Sequence, residues 1–370
     1  MLYIGLMSGT SLDGVDGVLV DGLESPRPQV LAHHHGAYDG PLRETLLRLN
    51  QPAAGELHQA ALASNAVARC YAAVVAQLLT AAGRTPGEVT AIGAHGQTVR
   101  HRPHEFDLTG YTVQLLNGHL LAELSGIDVV FDLRGRDVAA GGEGAPLVPA
   151  FHAAIFANPA QDIAVLNLGG IANLTLLPAH GDVLGFDCGP GNALMDGWCE
   201  AHLGHRFDDA GRWAAGGVVQ EGLLASLMAD PFFARPPPKS TGRDLFHRAW
   251  LETALARLAV APSAQDVQAT LAEFSASAAA DALCRHAPAT RRLLVCGGGA
   301  FNHHLMVRLG ARLAGVDVRT TDAEGVPADQ VEALAFAWLA QAFVQRRPGN
   351  LPSVTGAAGL RVLGSLCPAG

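Results

Sequence analysis

Apolar residues run from Leu2 to Met7, break at Ser8-Gly9-Thr10-Ser11, and resume from Val15 to Val20. Two apolar runs of strand length joined by Gly, Ser, Thr and Asp predict a tight β-hairpin. Its tip offers hydroxyls and glycines, which let a phosphate approach backbone N–H groups, although an ordinary hairpin would use the same residues. Residues 22–28 read as a turn and 29–37 as a third strand. Residues 57–82 are Ala-rich with helical spacing and end at Gly83, a C-cap residue. Residues 89–93 form a short buried strand that delivers His95-Gly96-Gln97-Thr98 at its carboxyl end, where α/β sheets bind ligands. Residues 115–126 read as helix and 127–131 as strand, ending in Asp132-Leu133-Arg134-Gly135-Arg136-Asp137. The Gly-rich loop 139–147 then suits the floor of a cleft, a domain crossover or a linker.

The pattern restarts in the second half. Residues 163–168 are a buried strand, Gly169-Gly170-Ile171-Ala172-Asn173 turns, and 174–177 is apolar again. Two strand–turn–strand units about 160 residues apart predict a duplicated, two-lobed architecture. A strand at 183–186 leads into Asp187-Cys188-Gly189-Pro190-Gly191-Asn192 and a helix at 193–203. A carboxylate at that junction caps the helix, binds a metal or acts as a general base. Residues 236–243 (Pro-Pro-Pro-Lys-Ser-Thr-Gly-Arg) read as a rigid, polar surface segment: a lid, a substrate loop or a linker. An amphipathic helix is predicted over 267–283. The strand 292–296 ends in Gly297-Gly298-Gly299-Ala300-Phe301-Asn302 before a helix at 303–314. Three glycines there let a ring or phosphate lie against backbone, and a tight turn would need much the same residues. Glu332 stands in the opening turn of an Ala-rich helix at 331–345, and the tail 349–356 reads as a loop tucked against a site.

Composition narrows the chemistry. A chain of 370 residues with 49% hydrophobic and 16% charged residues suits two ordinary globular domains. A net charge of -9 and the absence of any Lys/Arg run argue against a nucleic-acid surface. Lys239 is the only lysine, which excludes both a G-x-x-x-x-G-K-[ST] phosphate loop and a protein-kinase strand lysine. The six cysteines form no C-x-x-C pair and read as reduced thiols. With no signal peptide or membrane span predicted, the expected compartment is the cytoplasm. His33-His34-His35 alternate faces if they lie in a strand, which makes a poor chelate.

Together these stretches resemble the anhydro-N-acetylmuramic acid kinases of the actin/Hsp70/sugar-kinase superfamily, over essentially the whole chain. The resemblance is carried by residues 5–16, Ala94-His95-Gly96-Gln97-Thr98-Val99, Arg136-Asp137-Val138-Ala139-Ala140-Gly141-Gly142, and Asn167-Leu168-Gly169-Gly170-Ile171-Ala172-Asn173. It continues in Phe186-Asp187-Cys188-Gly189-Pro190-Gly191-Asn192, residues 295–302 and Asn350-Leu351-Pro352-Ser353-Val354-Thr355-Gly356. It implies an α/β, two-lobed, ribonuclease H-like fold with an active-site cleft between lobes, one of residues 1–130 plus 350–370 and the other of 131–349. It further implies ATP and Mg²⁺, and a reaction in which the 1,6-anhydro ring of 1,6-anhydro-N-acetylmuramic acid is opened by water and O6 is phosphorylated, in peptidoglycan recycling.

By the same resemblance Asp187 is the catalytic base. Gly9, Thr10, Ser11, Leu12, Asp13, Gly14, Val15 and Asp16 are the first phosphate loop, and Asn167, Gly169, Gly170 and Asn173 belong to the second. Gly297, Gly298, Gly299 and Asn302 lie near the adenosine, and His95, Gln97, Thr98, Arg134 and Glu332 near the sugar. Three positions depart from the pattern. Met7 stands where most of the superfamily has Asp, which leaves the metal ligands unassigned, with Asp13 and Asp16 as substitutes. Glu143 replaces a Gln and is expected to point away from phosphate or toward a positive partner. Cys188 replaces a Thr of similar size. The competing expectations are a plain amino-sugar kinase and a nucleotide-driven binding protein; the resemblance and the exposed apolar helices also suit a homodimer.

Overall fold

The computed structural model describes every residue except Thr10, Pro26, Arg243 and Asp244. Thr10 of the predicted first phosphate loop therefore lies outside the described residues. The chain divides into two compact units, Met1–Ile155 with Gln330–Gly370, and Phe156–Asp329.

The first unit carries strands β1 (Leu2–Met7), β2 (Gly14–Asp21), β3 (Gln29–Ala37), β4 (Val89–Ala94), β5 (Gln97–Pro103), β6 (Gly110–Leu115) and β7 (Val129–Phe131). The second carries β8 (Ile163–Leu168), β9 (Ile171–Leu177), β10 (Leu184–Pro190), β11 (Arg292–Cys296) and β12 (Asp317–Thr320). A last strand, β13 (Ser365–Cys367), returns to the first unit.

The first unit's main sheet has the order β13-β7-β4-β1-β2-β3. β1, β2 and β3 form an antiparallel meander, and β4 and β7 extend it in parallel from β1. The second unit's sheet, β10-β9-β8-β11-β12, repeats the plan: an antiparallel meander β8-β9-β10, then β11 and β12 in parallel from β8. The duplication expected from two similar turns is thus a duplication of whole sheets.

Burial explains the strands. Tyr3, Ile4 and Leu6 on β1, and every residue of β8, are buried, as central strands covered on both faces require. The helix Val331–Val344 lies so close to the first sheet that a Cβ on Gly5 would stand 1.8 Å from the Ala333 carbonyl oxygen, and one on Gly93 1.9 Å from that of Phe336. This contact moves the unit boundaries from those expected. Residues 330–349, assigned from sequence to the second lobe, pack on β1 and β4, and residues 131–155 stay with the first unit as well. The helix Glu56–Ala82 is long and apolar enough to cross a bilayer, but it packs on β2 and β3 with Val67, Tyr71, Val74 and Leu78 buried.

Three further expectations need correction. Residues 97–115 form the hairpin β5–β6, and the helix starts only at Gly118 behind the N-cap Asn117. The helix predicted as amphipathic over 267–283 spans Ala264–His286 and is buried on almost all sides, because four helices and β9 and β10 pack around it. The segment predicted as polar surface contains the buried Lys239.

Candidate active site

In the first unit, the ends of β1 and β4 bring Ser8 and His95 together. His95 Nδ1 lies 3.0 Å from the Ser8 carbonyl oxygen, and its Nε2 lies 3.0 and 2.9 Å from Nε and Nη2 of Arg134. A carbonyl only accepts and a guanidinium only donates, so the imidazole is the neutral Nδ1–H tautomer. Burial and the adjacent Arg134 charge both hold its pKa well below the ordinary value. Arg134 also donates from Nη1 to the Gly144 carbonyl at 2.8 Å, which leaves about two of its five N–H groups for another partner. Burial lowers the Arg134 pKa to about 10 against the opposing charges of Glu332 and Asp137. The helix Val331–Val344 supplies both neighbours of this pair, Glu332 in its first turn and Phe336, whose ring centroid is 4.8 Å from that of His95.

Gln97 is fully buried and donates through Nε2 to the Gly9 carbonyl at 3.0 Å, tying β5 to the first turn. Thr98 Oγ1 accepts from Gln114 across the hairpin at 3.3 Å. Ser11 Oγ donates to Asp13 at 2.6 Å. Asp16 is paired with Met7 in register and faces His35 Nδ1 at 2.9 Å and His33 at 3.8 Å. Of the sugar-side residues expected from sequence, His95 and Gln97 are thus struts with their N–H donors engaged, whereas Arg134 keeps about two N–H groups and Thr98 its hydroxyl hydrogen.

Sequence reasoning passed over Asp137 as a site residue. Completely buried, it accepts from Asn350 Nδ2 at 2.7 Å, Thr355 Oγ1 at 2.8 Å and the Gly144 amide at 2.8 Å. It joins the Gly-rich loop to the tail, two motifs more than 200 residues apart in the sequence. Glu143 is exposed, and its carboxylate lies 3.3 Å from His104 Nε2.

In the second unit, strand register sets out a row. Cys296 pairs with Asn167, Asn167 with Asn173, and Asn173 with Asp187. Directly paired residues share a face of the sheet with Cβ atoms about 5 Å apart, so Asn173 lies beside the carboxylate and Asn167 one strand further along the row. Asp187 does not cap the following helix, whose N-cap is Asn192; instead it accepts from the Thr241 amide at 2.9 Å. Burial raises its pKa to about 6, against the opposing effects of that amide and of Lys239. The register slips after Asp187 and turns Cys188 inward, where its thiol donates to the Ala172 carbonyl at 3.3 Å, a bond a Thr hydroxyl would also make.

The β8–β9 turn is held from behind. The amides of Asn192 and Gly191 donate to the carbonyls of Gly169 and Gly170 at 2.8 and 3.0 Å, and Asn192 Nδ2 donates to Leu168 at 2.9 Å. Gly297, at φ +81, is pressed against Asn167, whose Oδ1 would be 2.4 Å from an added Cβ. By contrast, an added Cβ would meet nothing nearer than 3.5 Å at Gly9, 3.6 Å at Gly169 and 3.8 Å at Gly298. Backbone left bare at three Gly-rich turns suits close approach by phosphate and a nucleotide ring. Asn302, expected near adenosine, spends its side chain as N-cap of the helix His303–Arg312, accepting from Leu305 at 3.0 Å. Asn192, which touches both Gly-rich turns, is the residue sequence reasoning left out. Among the described residues no three His, Cys, Asp or Glu side chains converge as a metal cage.

Two sheets of the same meander-plus-parallel plan are the fold of the actin/Hsp70/sugar-kinase class. A solved structure titled as the activator of the 2-hydroxyisocaproyl-CoA dehydratase from Clostridium difficile with bound ADPNP matches with a TM-score of 0.50 at 12% identity, covering 94% of this chain and 96% of its own. Component A of the (R)-2-hydroxyglutaryl-CoA dehydratase of Acidaminococcus fermentans also scores 0.50 at 12% identity, over 92% and 99%. Sequence goes further than fold. The family profile described as anhydro-N-acetylmuramic acid kinase matches residues 1–369. An anhydro-N-acetylmuramic acid kinase of Variovorax paradoxus is 58% identical over 100% of this chain and 99% of its own, and one of Bordetella petrii 60% identical over 100% and 96%. The chain belongs to the anhydro-N-acetylmuramic acid kinase family, sugar kinases that use ATP in cell-wall recycling.

Proposed function

We propose that the chain opens the 1,6-anhydro ring of 1,6-anhydro-N-acetylmuramic acid with water and phosphorylates O6, giving N-acetylmuramic acid 6-phosphate and ADP, with Asp187 as the general base. Water loses a proton to the Asp187 carboxylate as its oxygen bonds to C1. The C1–O6 bond breaks, O6 bonds to the γ-phosphorus of ATP, and the bond from that phosphorus to the β-phosphate oxygen breaks. The observation that carries this reading is the carboxylate itself. It is free of the helix cap, gripped by one amide, in register with Asn167 and Asn173, and held near pKa 6, ionised at neutral pH yet basic enough to accept a proton. General-base assistance of this kind is worth roughly 10²–10⁴-fold.

The bare turns at Gly9, Gly169 and Gly298 serve as phosphate and nucleotide contacts, with Asn167, Asn173 and Asn192 shaping them. Arg134, oriented by His95 and Gly144 and balanced by Glu332, is the sugar-side donor. Mg²⁺ offsets charge on the phosphates when bound. Among the described residues no cage of side chains would hold the ion, so it would be held chiefly through phosphate and water, as this ion commonly is, with Asp13 of the first turn and Asp16 of β2 as nearby carboxylates. The acidic net charge favours small-molecule partners over nucleic acid, the cysteine pattern favours the cytoplasm, and exposed Leu57 and Leu62 on one helix favour self-association.

The test compares ATP consumption with the anhydro sugar by wild type and Asp187→Asn. Loss of two or more decades of rate with nucleotide binding retained supports the assignment; an unimpaired variant removes Asp187 from the chemistry.

A further inference from the structure

Lys239 is buried, with 7% of its surface exposed, although it is the only lysine in the chain. Its ammonium donates to the Phe232 carbonyl at 3.2 Å and lies 4.5 Å from the centroid of the Phe232 ring. Burying an ammonium is costly, so a fold that does it elsewhere than at the surface ties a purpose to it. The backbone of the same turn grips Asp187 twice. The Lys239 carbonyl accepts the Asp187 N–H at 3.0 Å, and the Thr241 N–H donates to Asp187 Oδ2 at 2.9 Å. The side chain of Lys239 is thus a pin that fixes to Phe232 the segment holding the carboxylate.

We propose that Lys239 is a positioning residue for Asp187: pinned at Phe232, it sets the 239–241 turn against the carboxylate and adds the charge of its ammonium to the carboxylate's surroundings. The proposal rests on the reading of Asp187 as general base. Among the described residues, the other charged and titratable groups around the ammonium are Arg235 on its own segment, Cys188 on β10, and Asp281, Arg285 and His286 on the helix Ala264–His286. Several of these line, with Lys239, a cavity of about 200 Å³. Arg285 donates to the Phe233 carbonyl and Arg235 is exposed, and of the three cations Lys239 is the one whose charge acts on Asp187. Its charge favours the ionised carboxylate, as the Thr241 amide does, and both oppose the effect of burial.

The experiment measures kcat/KM with ATP and the anhydro sugar from about pH 5 to 9 for wild type, Lys239→Met and Lys239→Arg, with nucleotide binding and thermal melting as checks of the fold. Removing the charge at similar size is expected to move the acid limb up by about one pH unit, so that the loss relative to wild type is about fivefold larger at pH 6 than at pH 8.5. Lys239→Arg, which keeps the charge, is expected to bring the limb back toward wild type. A variant that loses rate equally at all pH values, with its acid limb unmoved, shows a merely structural lysine and overturns the proposal. If Lys239→Met does not fold, Lys239→Gln, which keeps a donor for the Phe232 carbonyl, is read by the same criterion. Asp187→Asn separates the two levels: an active Asp187→Asn removes the base assignment, whereas an inactive one beside an unmoved limb in the Lys239 variants removes only the role of Lys239.

Discussion

Asp187 is held in a setting that makes ionisation costly, and activity and stability should therefore respond to it in opposite directions. Its folded pKa of about 6 lies above the ordinary 3.8, so the folded state holds a proton that the unfolded chain has already released between those values. The resulting penalty on folding is absent below about pH 4, grows between pH 4 and 6, and is complete above it. Asp187→Asn should be more stable than wild type at pH 7.5 by about 1–3 kcal/mol, and the difference should vanish near pH 4 in paired thermal melts. Wild-type kcat/KM should fall about tenfold per unit below pH 6, since only the ionised base accepts a proton. Asp137 is the opposite case, a buried carboxylate fully engaged by Asn350, Thr355 and Gly144. Asp137→Ala strands these donors and should cost about 2–4 kcal/mol in urea unfolding, with the 141–144 loop more readily cleaved by protease.

At the level of elements, the helix Val331–Val344 sets the surroundings of Arg134 and His95, because it carries Glu332 and Phe336 to them. Its approach depends on glycine at two strand positions. Gly93→Ala would drive a methyl into the Phe336 carbonyl and should cost about 3 kcal/mol or abolish folding, as a melt or expression test would show. Sequence pattern located much of this framework. The β1–β2 hairpin, the strands Ile163–Leu168 and Arg292–Cys296, and the helix Ala193–Leu203 were all marked by apolar runs of the right period next to Gly-rich turns. Pattern failed where tertiary packing overrides it. The β5–β6 hairpin is built from Gln, Thr, Arg and His with little alternation, and Ala264–His286 looks two-faced in sequence while neighbours surround it. Likewise Gln97 and Asn302 have side chains suited to ligands, and only the structure shows one spent on the Gly9 carbonyl and the other on a helix cap.

For the molecule as a whole, each unit uses one sheet plan to present turns at the ends of the same strands, β1 and β4 in one and β8 and β11 in the other. Nucleotide contacts assigned to the bare turns do not involve Asp187, so ATP should raise the melting temperature of wild type and Asp187→Asn alike, by an amount corresponding to about 2.7 kcal/mol at a hundredfold excess over Kd. A stabilisation lost in the variant would instead place Asp187 among the nucleotide contacts. The central claim is that phosphorylation is coupled to opening of the anhydro ring, and product analysis tests it most directly. Wild type is supplied with ATP and either 1,6-anhydro-N-acetylmuramic acid or the reducing sugar N-acetylmuramic acid, and ADP and sugar phosphate are quantified. One ADP and one N-acetylmuramic acid 6-phosphate are expected per anhydro sugar consumed, with the reducing sugar a poor substrate. Efficient phosphorylation of the reducing sugar with the anhydro sugar left intact would contradict the central claim and identify a plain amino-sugar kinase.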